Sequence, residues 1–512
     1  MLAIADLLRP SAYGHPAPDP VLEETHISWV VLAGDYAYKI KKPVRLPFLD
    51  YSNVDARKHF CEEEVRLNRR LAPELYLGVS TIVATGDGLA MDREGATVDY
   101  AVRMRRFPSA HRLDRRLAAR SLDGPDIDRC AIRIADMHRA APRADPGKVR
   151  DAAGDALDPV TACLDALGDR SPAVRDARRW LKDREPALAA TFASRRQGGW
   201  IRECHGDLHL ANLADLGGSI VPFDAIEFDP ALRWTDIQAD AAFLLMDLQS
   251  RQRRDLGWRF YDGWLARTGD YEGVRTLRFY LIYRHLVRAK VDRIRLSQAL
   301  ADPTERRRIE NRLAIHLGAI RDLVRPGRPA LILTHGLSAS GKSTVARALA
   351  ADMPMVRLPA DLIRKRMAGL DPFDEAARPP DGLYAREFTD QVYGELKRLA
   401  GFVMDAGWNV IVDATFLTAE RRRPLLELAT ERDLPVLCLH CRAPAAELRR
   451  RIVARCRAGT DPSDADLAVL EDQMARIEGP SAGEQDVWLD LDTTRLPAAD
   501  EMAAGLRKRL WA

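Results

Sequence analysis

The pattern of hydrophobic and polar positions changes character once along the chain. Near the N-terminus, alternating runs at 27–34 and 36–44 predict two strands of a hairpin that turns at Gly34 and Asp35. From about residue 112 onward the periodicity is mostly helical. Strands first and helices later indicate an α+β fold with a small lobe and a large helical lobe. The other elements predicted near the N-terminus are a helix over 54–71 and strands over 77–86 and 98–107.

The C-terminal part alternates strands with helices, which predicts βαβ units and a parallel sheet. Between the two patterns lies the segment 325–329, RPGRP, whose two prolines and glycine end a helix before an apolar strand begins. We therefore predict a first domain over 1–324, a linker over 325–329 and a second domain over 330–512. The predicted strands of the second domain are 330–334, 355–359, 409–415, 435–441 and 487–493.

Composition and charge narrow the class of protein. The chain has 512 residues, and its 78 basic and 75 acidic side chains nearly cancel, which argues against a nucleic-acid coat or a polybasic membrane anchor. Seven scattered cysteines do not form a disulfide framework, so a reducing cytoplasm is the expected compartment. The first residues predict a short helix and not a signal peptide, and no apolar run is long enough to span a membrane.

A phosphate-binding loop follows the first strand of the second domain. Its sequence, GLSASGKST, fits the pattern G-x-x-x-x-G-K-[ST] and lies between a strand and a helix, as nucleotide binding requires. Backbone N–H groups and the helix N-terminus attract phosphate, the lysine reaches the β and γ phosphates, and the serine after it is a Mg²⁺ ligand. The alternative is a chance Gly-Lys-Ser helix start, which this context disfavours. The predicted nucleotide-binding residues are Gly336, Ser338, Ala339, Ser340, Gly341, Lys342, Ser343 and Thr344.

Charged residues downstream predict a kinase and not a motor. Asp361 and Arg364 form a D-x-x-R pair on one helical turn, where a carboxylate can accept a hydroxyl proton while the guanidinium grips phosphate or substrate. Asp413 ends a strand, in the position of an acid that holds Mg²⁺ through water. Arg451 and Arg455 share one helix face and are candidate lid arginines over the phosphates. Solvated ion pairs and a solvated basic face are the alternatives for these charges.

The C-terminal part, over about 328–512, resembles the small P-loop kinases of the polynucleotide-kinase, zeta-toxin and gluconate-kinase type, which often carry an AAA label. The resemblance rests on the phosphate-binding loop, the D-x-x-R pair and the sequence VDATF at 412–416. It implies that Asp361 is the base toward a hydroxyl acceptor. The acceptor differs among such kinases, so its identity stays open.

A second set of candidate residues lies in the first domain. His205-Gly-Asp207-Leu-His-Leu-Ala-Asn212 is followed by Asp224, and phosphoryl transfer by a kinase-type site needs such a base and two such metal ligands. The alternative is a polar turn between strands. The motif resembles the aminoglycoside phosphotransferase branch of the kinase fold. The resemblance implies that Asp207 is the catalytic base, that Asn212 and Asp224 bind Mg²⁺, and that His205 supports the loop.

A kinase-type site also needs a strand lysine paired with a helix glutamate. Lys39 in the sequence AYK matches the pattern V-A-I-K, and Glu64 is its expected partner. Lys41 lies on the same strand face, so either lysine is a candidate for the phosphates. Glu227 and Asp229 flank the second metal ligand and are possible additional ligands, and His285 is a possible lining residue of the acceptor pocket. The glycine-rich cover G-x-G-x-x-G is absent from the first hairpin.

Together these features predict an α+β protein-kinase-like bilobal N-terminal domain followed by an α/β P-loop domain with a parallel sheet. Both domains are expected to use ATP and Mg²⁺ and to phosphorylate a hydroxyl group of a small molecule. Nucleic acid stays open as a partner of the P-loop domain only, and the oligomeric state is not predicted. Two alternatives remain, namely that only the P-loop domain catalyses, or that the chain is an ATP-binding switch.

Overall fold

The computed structural model describes residues 2–46, 49–145, 152–298, 302–374, 383–458 and 466–511. The chain divides into two compact units, one formed by 1–156 with 193–244 and the other by 157–192 with 245–512. The predicted linker at 325–329 joins a helix to a strand inside the second unit. The predicted boundary therefore does not coincide with the division into compact units. The division into two kinase domains at this linker stays a prediction.

The N-terminal region begins with a six-stranded antiparallel sheet in the order β1-β2-β3-β8-β6-β7. Its strands are β1 (Val21–Glu24), β2 (Ser28–Ala33), β3 (Tyr36–Lys41), β6 (Tyr76–Thr85), β7 (Gly88–Met91) and β8 (Ala96–Arg105). Shorter strands are β4 (Arg45–Leu46), β5 (Leu49–Asp50), β9 (Ile201–Glu203), β10 (Leu213–Leu216), β11 (Ser219–Pro222) and β12 (Trp234–Asp236). The predicted hairpin is the β2–β3 pair, where Ala33 faces Tyr36 across a two-residue turn.

Helices follow the sheet as the periodicity predicts. They are α1 (Val54–Arg69), α2 (Leu113–Ala118), α3 (Gly124–Ala140), α4 (Ala152–Leu167), α5 (Pro172–Gln197), α6 (Pro230–Arg233), α7 (Ile237–Ser250), α8 (Arg254–Thr268), α9 (Val274–Ser297) and α10 (Pro303–Val324). Helix α1 packs against strands β6 and β8 and carries Glu64 beneath the sheet. Two short 3₁₀ helices, Ile4–Leu8 and Pro10–Ala12, take the place of the short helix predicted at the N-terminus.

The C-terminal region is built on a five-stranded parallel sheet in the order β14-β15-β13-β16-β17. Its strands are β13 (Leu331–His335), β14 (Met355–Pro359), β15 (Asn409–Asp413), β16 (Val436–Arg442) and β17 (Trp488–Asp492). Its helices are α11 (Lys342–Asp352), α12 (Ala360–Met367), α13 (Arg386–Asp405), α14 (Ala419–Glu431), α15 (Ala445–Ala458), α16 (Leu467–Arg476) and α17 (Ala499–Leu510). Buried side chains of α11 and α17 pack on the sheet to form its core. The α+β and α/β folds of the two regions confirm the predicted fold class.

Helices α8 and α9 pack against elements of the parallel-sheet region. The rings of Trp258 in α8 and Trp408 before β15 lie 5.3 Å apart between centroids. The Arg278 guanidinium of α9 lies 4.4 Å from the centroid of the Trp408 ring and donates a 2.8 Å hydrogen bond to the Gly407 carbonyl. Because these contacts are buried, α8 and α9 belong to the second unit although the chain places them before the predicted linker.

The predicted role of His285 in an acceptor pocket is wrong. Its Nδ1 lies 3.0 Å from Nδ1 of His316 in the interface between α9 and α10, where both rings are buried. Burial and the neighbouring His316 lower the pKa of His285 to about 3. The two neutral rings therefore share one hydrogen bond inside a helix interface.

None of the helices in the described part of the chain combines the length and the apolar character that a membrane-spanning segment needs.

Candidate functional site

The phosphate-binding loop connects β13 to α11 and takes backbone angles that side chains disfavour. Gly336 has φ +139° and Gly341 has φ +87°, which glycine adopts without strain. A Cβ on Gly336 would lie 2.5 Å from the Cys441 carbonyl oxygen. Helix α11 begins at Lys342, so its first N–H groups point into the loop. The predicted loop therefore has the backbone of an anion-binding cradle.

Lys342, Ser343 and Asp413 meet at the start of α11. The Ser343 hydroxyl donates to Asp413 Oδ1 at 3.1 Å, and Lys342 Nζ donates to the Leu337 carbonyl at 2.7 Å. Burial lowers the pKa of Lys342, while the charges of Asp413 and Asp361 act in the opposite direction. The structure thus brings together the loop lysine, the serine and both predicted carboxylates.

These residues fit a nucleotide phosphate and Mg²⁺. The oxygens of Ser343 and Asp413 are hard ligands of the type that Mg²⁺ prefers. Ser340 Oγ is buried and has no hydrogen-bond partner within the described part of the chain, although it lies against Gly336 in the loop. A buried polar group without a partner carries a free-energy cost that a bound phosphate oxygen would remove. The exposed Thr344 follows on the first turn of α11.

The D-x-x-R pair lies on α12, directly after β14. Asp361 is half-buried and near enough to Lys342 to affect its pKa. Arg364 Nη1 donates instead to the Leu383 carbonyl at 2.9 Å and to Thr389 Oγ1 at 3.0 Å. Arg364 is therefore directed toward the start of α13 here, and its contact with phosphate remains a prediction.

The two candidate lid arginines project from α15. Arg451 donates to the Ala339 carbonyl at 3.3 Å and to the Thr493 carbonyl at 3.1 Å, so it joins the phosphate-binding loop to the segment after β17. Arg455 lies one helical turn further, and its charge helps to lower the pKa of Lys342. Arg451 therefore contacts the loop and Arg455 is near enough to affect the charge of its lysine, while their role as a lid stays a prediction.

In the N-terminal region, Lys39 and Glu64 form the predicted pair. Lys39 Nζ donates to Glu64 Oε1 at 2.9 Å and to Asp224 Oδ1 at 2.5 Å. Burial would lower the pKa of Lys39, but the charges of Asp224 and Glu64 outweigh it and raise the pKa. Asp224 is 43% exposed at its side chain and has φ +64°, a left-handed angle that aspartate adopts more readily than most residues other than glycine. Lys39 thus faces the accessible carboxylate of the site.

Lys41 lies deeper than Lys39 and is fully buried. Its Nζ donates to Glu64 Oε2 at 2.8 Å and to the Glu227 carboxylate, which also accepts a 2.6 Å hydrogen bond from the Tyr51 hydroxyl. Burial would raise the pKa of Glu227, but Lys41 and Lys39 lower it to about 2. Glu227 is therefore an ion-pair partner of a buried lysine, which corrects its predicted role beside the metal ligands.

The loop that carries Asp207 is organised around its carboxylate. Asp207 Oδ2 lies 3.2 Å from His209 Nε2 and accepts a 3.2 Å hydrogen bond from Asn212 Nδ2. His209 Nδ1 accepts from the Ala211 amide, so the His209 proton is on Nε2 and is donated to Asp207. The Asp207 side chain is 37% exposed. A carboxylate that is accessible and held by two donors can accept a proton from a hydroxyl.

His205 and Asp240 hold this loop from beneath. Asp240 accepts hydrogen bonds from the amides of His205 and Gly206 at 2.7 and 3.0 Å. Burial lowers the pKa of His205, so its ring is neutral, and His205 Nε2 lies 2.9 Å from the Phe223 carbonyl next to Asp224. His205 thus links the two segments that carry the predicted base and the second metal ligand. The sequence has no motif that identifies Asp240.

Sequence comparisons match both the C-terminal region and the chain over most of its length. The model of the AAA domain family matches residues 331–480. "Uncharacterized protein Rv2004c" of Mycobacterium tuberculosis, strain H37Rv, is 30% identical over 478 residues, which is 90% of this chain and 92% of that protein. "Uncharacterized protein Mb2027c" of Mycobacterium bovis gives the same values.

Solved structures match each region separately. A gluconokinase from Sinorhizobium meliloti 1021 covers 36% of this chain and 94% of its own, at 21% identity and TM-score 0.26. A choline/ethanolamine kinase family protein from Mesorhizobium loti covers 62% of this chain and 98% of its own, at 14% identity and TM-score 0.37.

The predicted enzyme class, a phosphotransferase of the kinase type, is confirmed. The chain belongs to the same protein family as the two mycobacterial relatives, and its residues 331–480 are an AAA domain of the P-loop kinase type.

Proposed function

We propose that this chain is an ATP- and Mg²⁺-dependent phosphotransferase with two separate sites, each of which transfers the γ-phosphoryl group to a hydroxyl of a small molecule in the cytoplasm. The observation that carries the proposal is the presence of a complete set of charged groups in each region. Lys39 contacts both Glu64 and Asp224 in the first site, and Ser343 contacts Asp413 beside Lys342 in the second. When bound, Mg²⁺ would neutralise negative charge on the phosphates.

In the first site, Asp207 is the proposed base. His209 and Asn212 stabilise its ionised form and fix its orientation toward the acceptor. The acceptor hydroxyl gives its proton to Asp207 while its oxygen forms a bond to the γ-phosphorus. The bond between the γ-phosphorus and the bridging oxygen then breaks, and that oxygen leaves with ADP. Asn212 and Asp224 supply the oxygens for Mg²⁺, and Lys39 contacts the phosphates.

In the second site, Asp361 is the proposed base and Lys342 contacts the β and γ phosphates. Lys342 donates to a loop carbonyl, so it changes partner when it meets phosphate. Ser343 and Asp413 supply the metal ligands, and Arg451 and Arg455 are placed to close over the transferring group. Catalysis in both sites comes mainly from positioning and charge neutralisation.

The test is acceptor-dependent transfer from labelled ATP with a library of hydroxyl-bearing metabolites. Asp207→Ala should abolish one set of acceptors and Lys342→Met another, while Lys508→Met, an exposed lysine in α17, should change neither. If Asp207→Ala leaves every transfer intact, then the two-site proposal is wrong and only the P-loop region catalyses. If the wild-type protein binds ATP tightly but transfers to no acceptor, the switch alternative is correct.

The alternative that only the P-loop region catalyses has one observation in its favour. The segment between β1 and β3 lacks the glycine-rich cover that kinase-type sites place over the phosphates. In that case the first site would bind a ligand without transferring phosphate. The same Asp207→Ala variant separates the two proposals, because it alters transfer only where Asp207 acts as a base.

A further inference from the structure

A chain of buried charges leads away from the predicted Mg²⁺ ligand Asp413. Arg357, on the neighbouring strand β14, donates from Nη1 to Asp413 Oδ2 at 3.2 Å. The same guanidinium donates to Asp262 from Nε at 3.1 Å and from Nη2 at 3.1 Å. The side chains of Arg357 and Asp413 are each 4% exposed, and that of Asp262 is 12% exposed. Three alternating charges therefore lie in a row that is closed to solvent.

The two oxygens of Asp413 have different partners. Oδ1 accepts from the Ser343 hydroxyl, and Oδ2 accepts from Arg357. Because Ser343 and Oδ1 share the side that faces the phosphate-binding loop, that oxygen is the one available to a cation. Arg357 holds the other oxygen and so fixes the rotation of the carboxylate about its own axis. Groups that orient a metal ligand in this way affect metal affinity although they do not touch the metal.

Asp262 comes from helix α8, outside the matched AAA domain at 331–480. It makes a bidentate pair, which is the strongest and most directional geometry for a guanidinium. Without Asp262, two N–H donors of Arg357 would be buried without partners, and the guanidinium would turn toward Asp413 and compete for the oxygen that faces Ser343. The orientation of Arg357 is thus determined by α8.

Helix α8 is held in place by contacts that do not involve this ion pair. Arg366 of α12 donates to the Ala266 carbonyl near the end of α8. A Cβ on Gly269, which caps the helix at φ +76°, would lie 2.8 Å from Arg366 Nε. The edge-to-face contact between Trp258 and Trp408 fixes the other end. Asp262 is therefore a fixed anchor on a helix that is packed against the P-loop region.

We propose that Asp262 and Arg357 are positioning residues for Mg²⁺ in the P-loop site, so that a helix outside the AAA domain completes the metal site of that domain. The inference rests on the proposed function of the P-loop site and adds the residues that set its metal affinity. It also gives a physical link through which the position of α8 controls nucleotide binding.

The test measures how much Mg²⁺ strengthens ATP binding to the full-length protein. Calorimetric titrations give the Kd for ATP in Mg²⁺ and in EDTA, and the component lost in Lys342→Met is assigned to the P-loop site. We expect Asp262→Asn to reduce the ratio of the Kd in EDTA to the Kd in Mg²⁺ about 10-fold. The Kd in EDTA itself should stay unchanged, because the loop amides and Lys342 remain in place.

Glu272→Gln is the matched control. Glu272, just before α9, pairs at 2.6 Å with Arg398 of α13, so this variant removes one charge from another ion pair between a residue before 325 and the parallel-sheet region. It should leave both Kd values unchanged. The proposal is overturned if Asp262→Asn keeps the wild-type ratio, or if it weakens binding equally in EDTA, which indicates a general structural role. If the wild-type protein gains no affinity from Mg²⁺, the proposed function of the site fails instead.

Discussion

Lys39 and Lys41 lie two residues apart on one strand face, but their substitution by methionine should affect different properties. Lys41→Met should mainly reduce stability, and Lys39→Met should mainly weaken ATP binding. Lys41 is fully buried between Glu64 and Glu227. Lys41→Met leaves Glu227 with the Tyr51 hydroxyl as its remaining side-chain partner among the contacts described above. Removing one member of a buried ion pair costs about 3–5 kcal/mol, a large part of a total stability of roughly 5–15 kcal/mol.

Lys39→Met should cost much less stability. Glu64 keeps Lys41 as its partner, and solvent can reach the half-exposed Asp224 carboxylate. The expected loss is about 1–2 kcal/mol. Because Lys39 contacts the accessible carboxylate of the site, its loss should instead weaken ATP binding. Loss of a charged hydrogen bond of about 1.5–3 kcal/mol corresponds to a roughly 10- to 100-fold increase in the Kd for ATP.

Both variants are best made in a Lys342→Met background, so that ATP binding reports the N-terminal site only. Thermal unfolding measures stability, and 3–5 kcal/mol corresponds to a fall in Tm of about 6–20 °C for a domain of this class. Calorimetry measures the Kd for ATP. The reasoning is refuted if Lys41→Met unfolds at the unchanged Tm. It is also refuted if Lys39→Met binds ATP normally while Lys41→Met does not, since the two lysines would then have exchanged roles.

Three further predictions follow from buried groups. Burial would raise the pKa of Glu227, but the neighbouring lysines lower it to about 2. Its contribution to the free energy of unfolding is therefore complete above the ordinary pKa of 4.5 and is lost as pH falls through about 2. Urea unfolding at about pH 5 and pH 3 should show a larger fall in the free energy of unfolding for the wild-type protein than for Glu227→Gln. Asp240→Asn should leave one of two loop amides without its acceptor, because an NH₂ group replaces one of the two accepting oxygens. It should cost roughly 1–3 kcal/mol in urea unfolding and slow transfer at the first site; normal stability would contradict this. Gly336→Ala should abolish ATP binding at the P-loop, because the new Cβ would lie 2.5 Å from the Cys441 carbonyl oxygen, whereas Gly318→Ala, with nothing within 4 Å, should bind normally.

The sequence is informative where function depends on neighbouring residues. The phosphate-binding loop needs a strand, two glycines and a helix start in direct succession, and β13, Gly336, Gly341 and α11 occur in that order. The hairpin around Gly34 is equally local, since a two-residue turn fixes the register of its strands. Local rules of this kind determine backbone conformation within a few residues, so a single sequence suffices to predict them.

Contacts between distant residues are not predictable in this way. Lys41 and Glu227 are 186 residues apart, and Arg357 and Asp262 are 95 residues apart. A charged residue on a predicted strand or helix is usually solvated, and only packing shows which charge is buried and with what partner. For the same reason, the sequence could not decide between Lys39 and Lys41, because a strand places both on one face. The division into compact units depends on such packing as well.

If the first site binds ATP and Mg²⁺ as proposed, its ion pairs should couple the binding of the two ligands. Lys39 contacts Asp224 directly, so the carboxylate competes with a phosphate oxygen for the lysine until another cation takes over Asp224. A phosphate that attracts Lys39 therefore leaves Asp224 ready for a metal, and a metal on Asp224 releases Lys39 for phosphate. Linkage requires each ligand to strengthen the other by the same factor. Asp224→Asn should therefore weaken ATP binding in Mg²⁺ but not in EDTA, where Lys39, paired with Glu64 only, should bind ATP more tightly than in the wild-type protein. A loss of affinity in both conditions would show that the pair does not couple the two ligands.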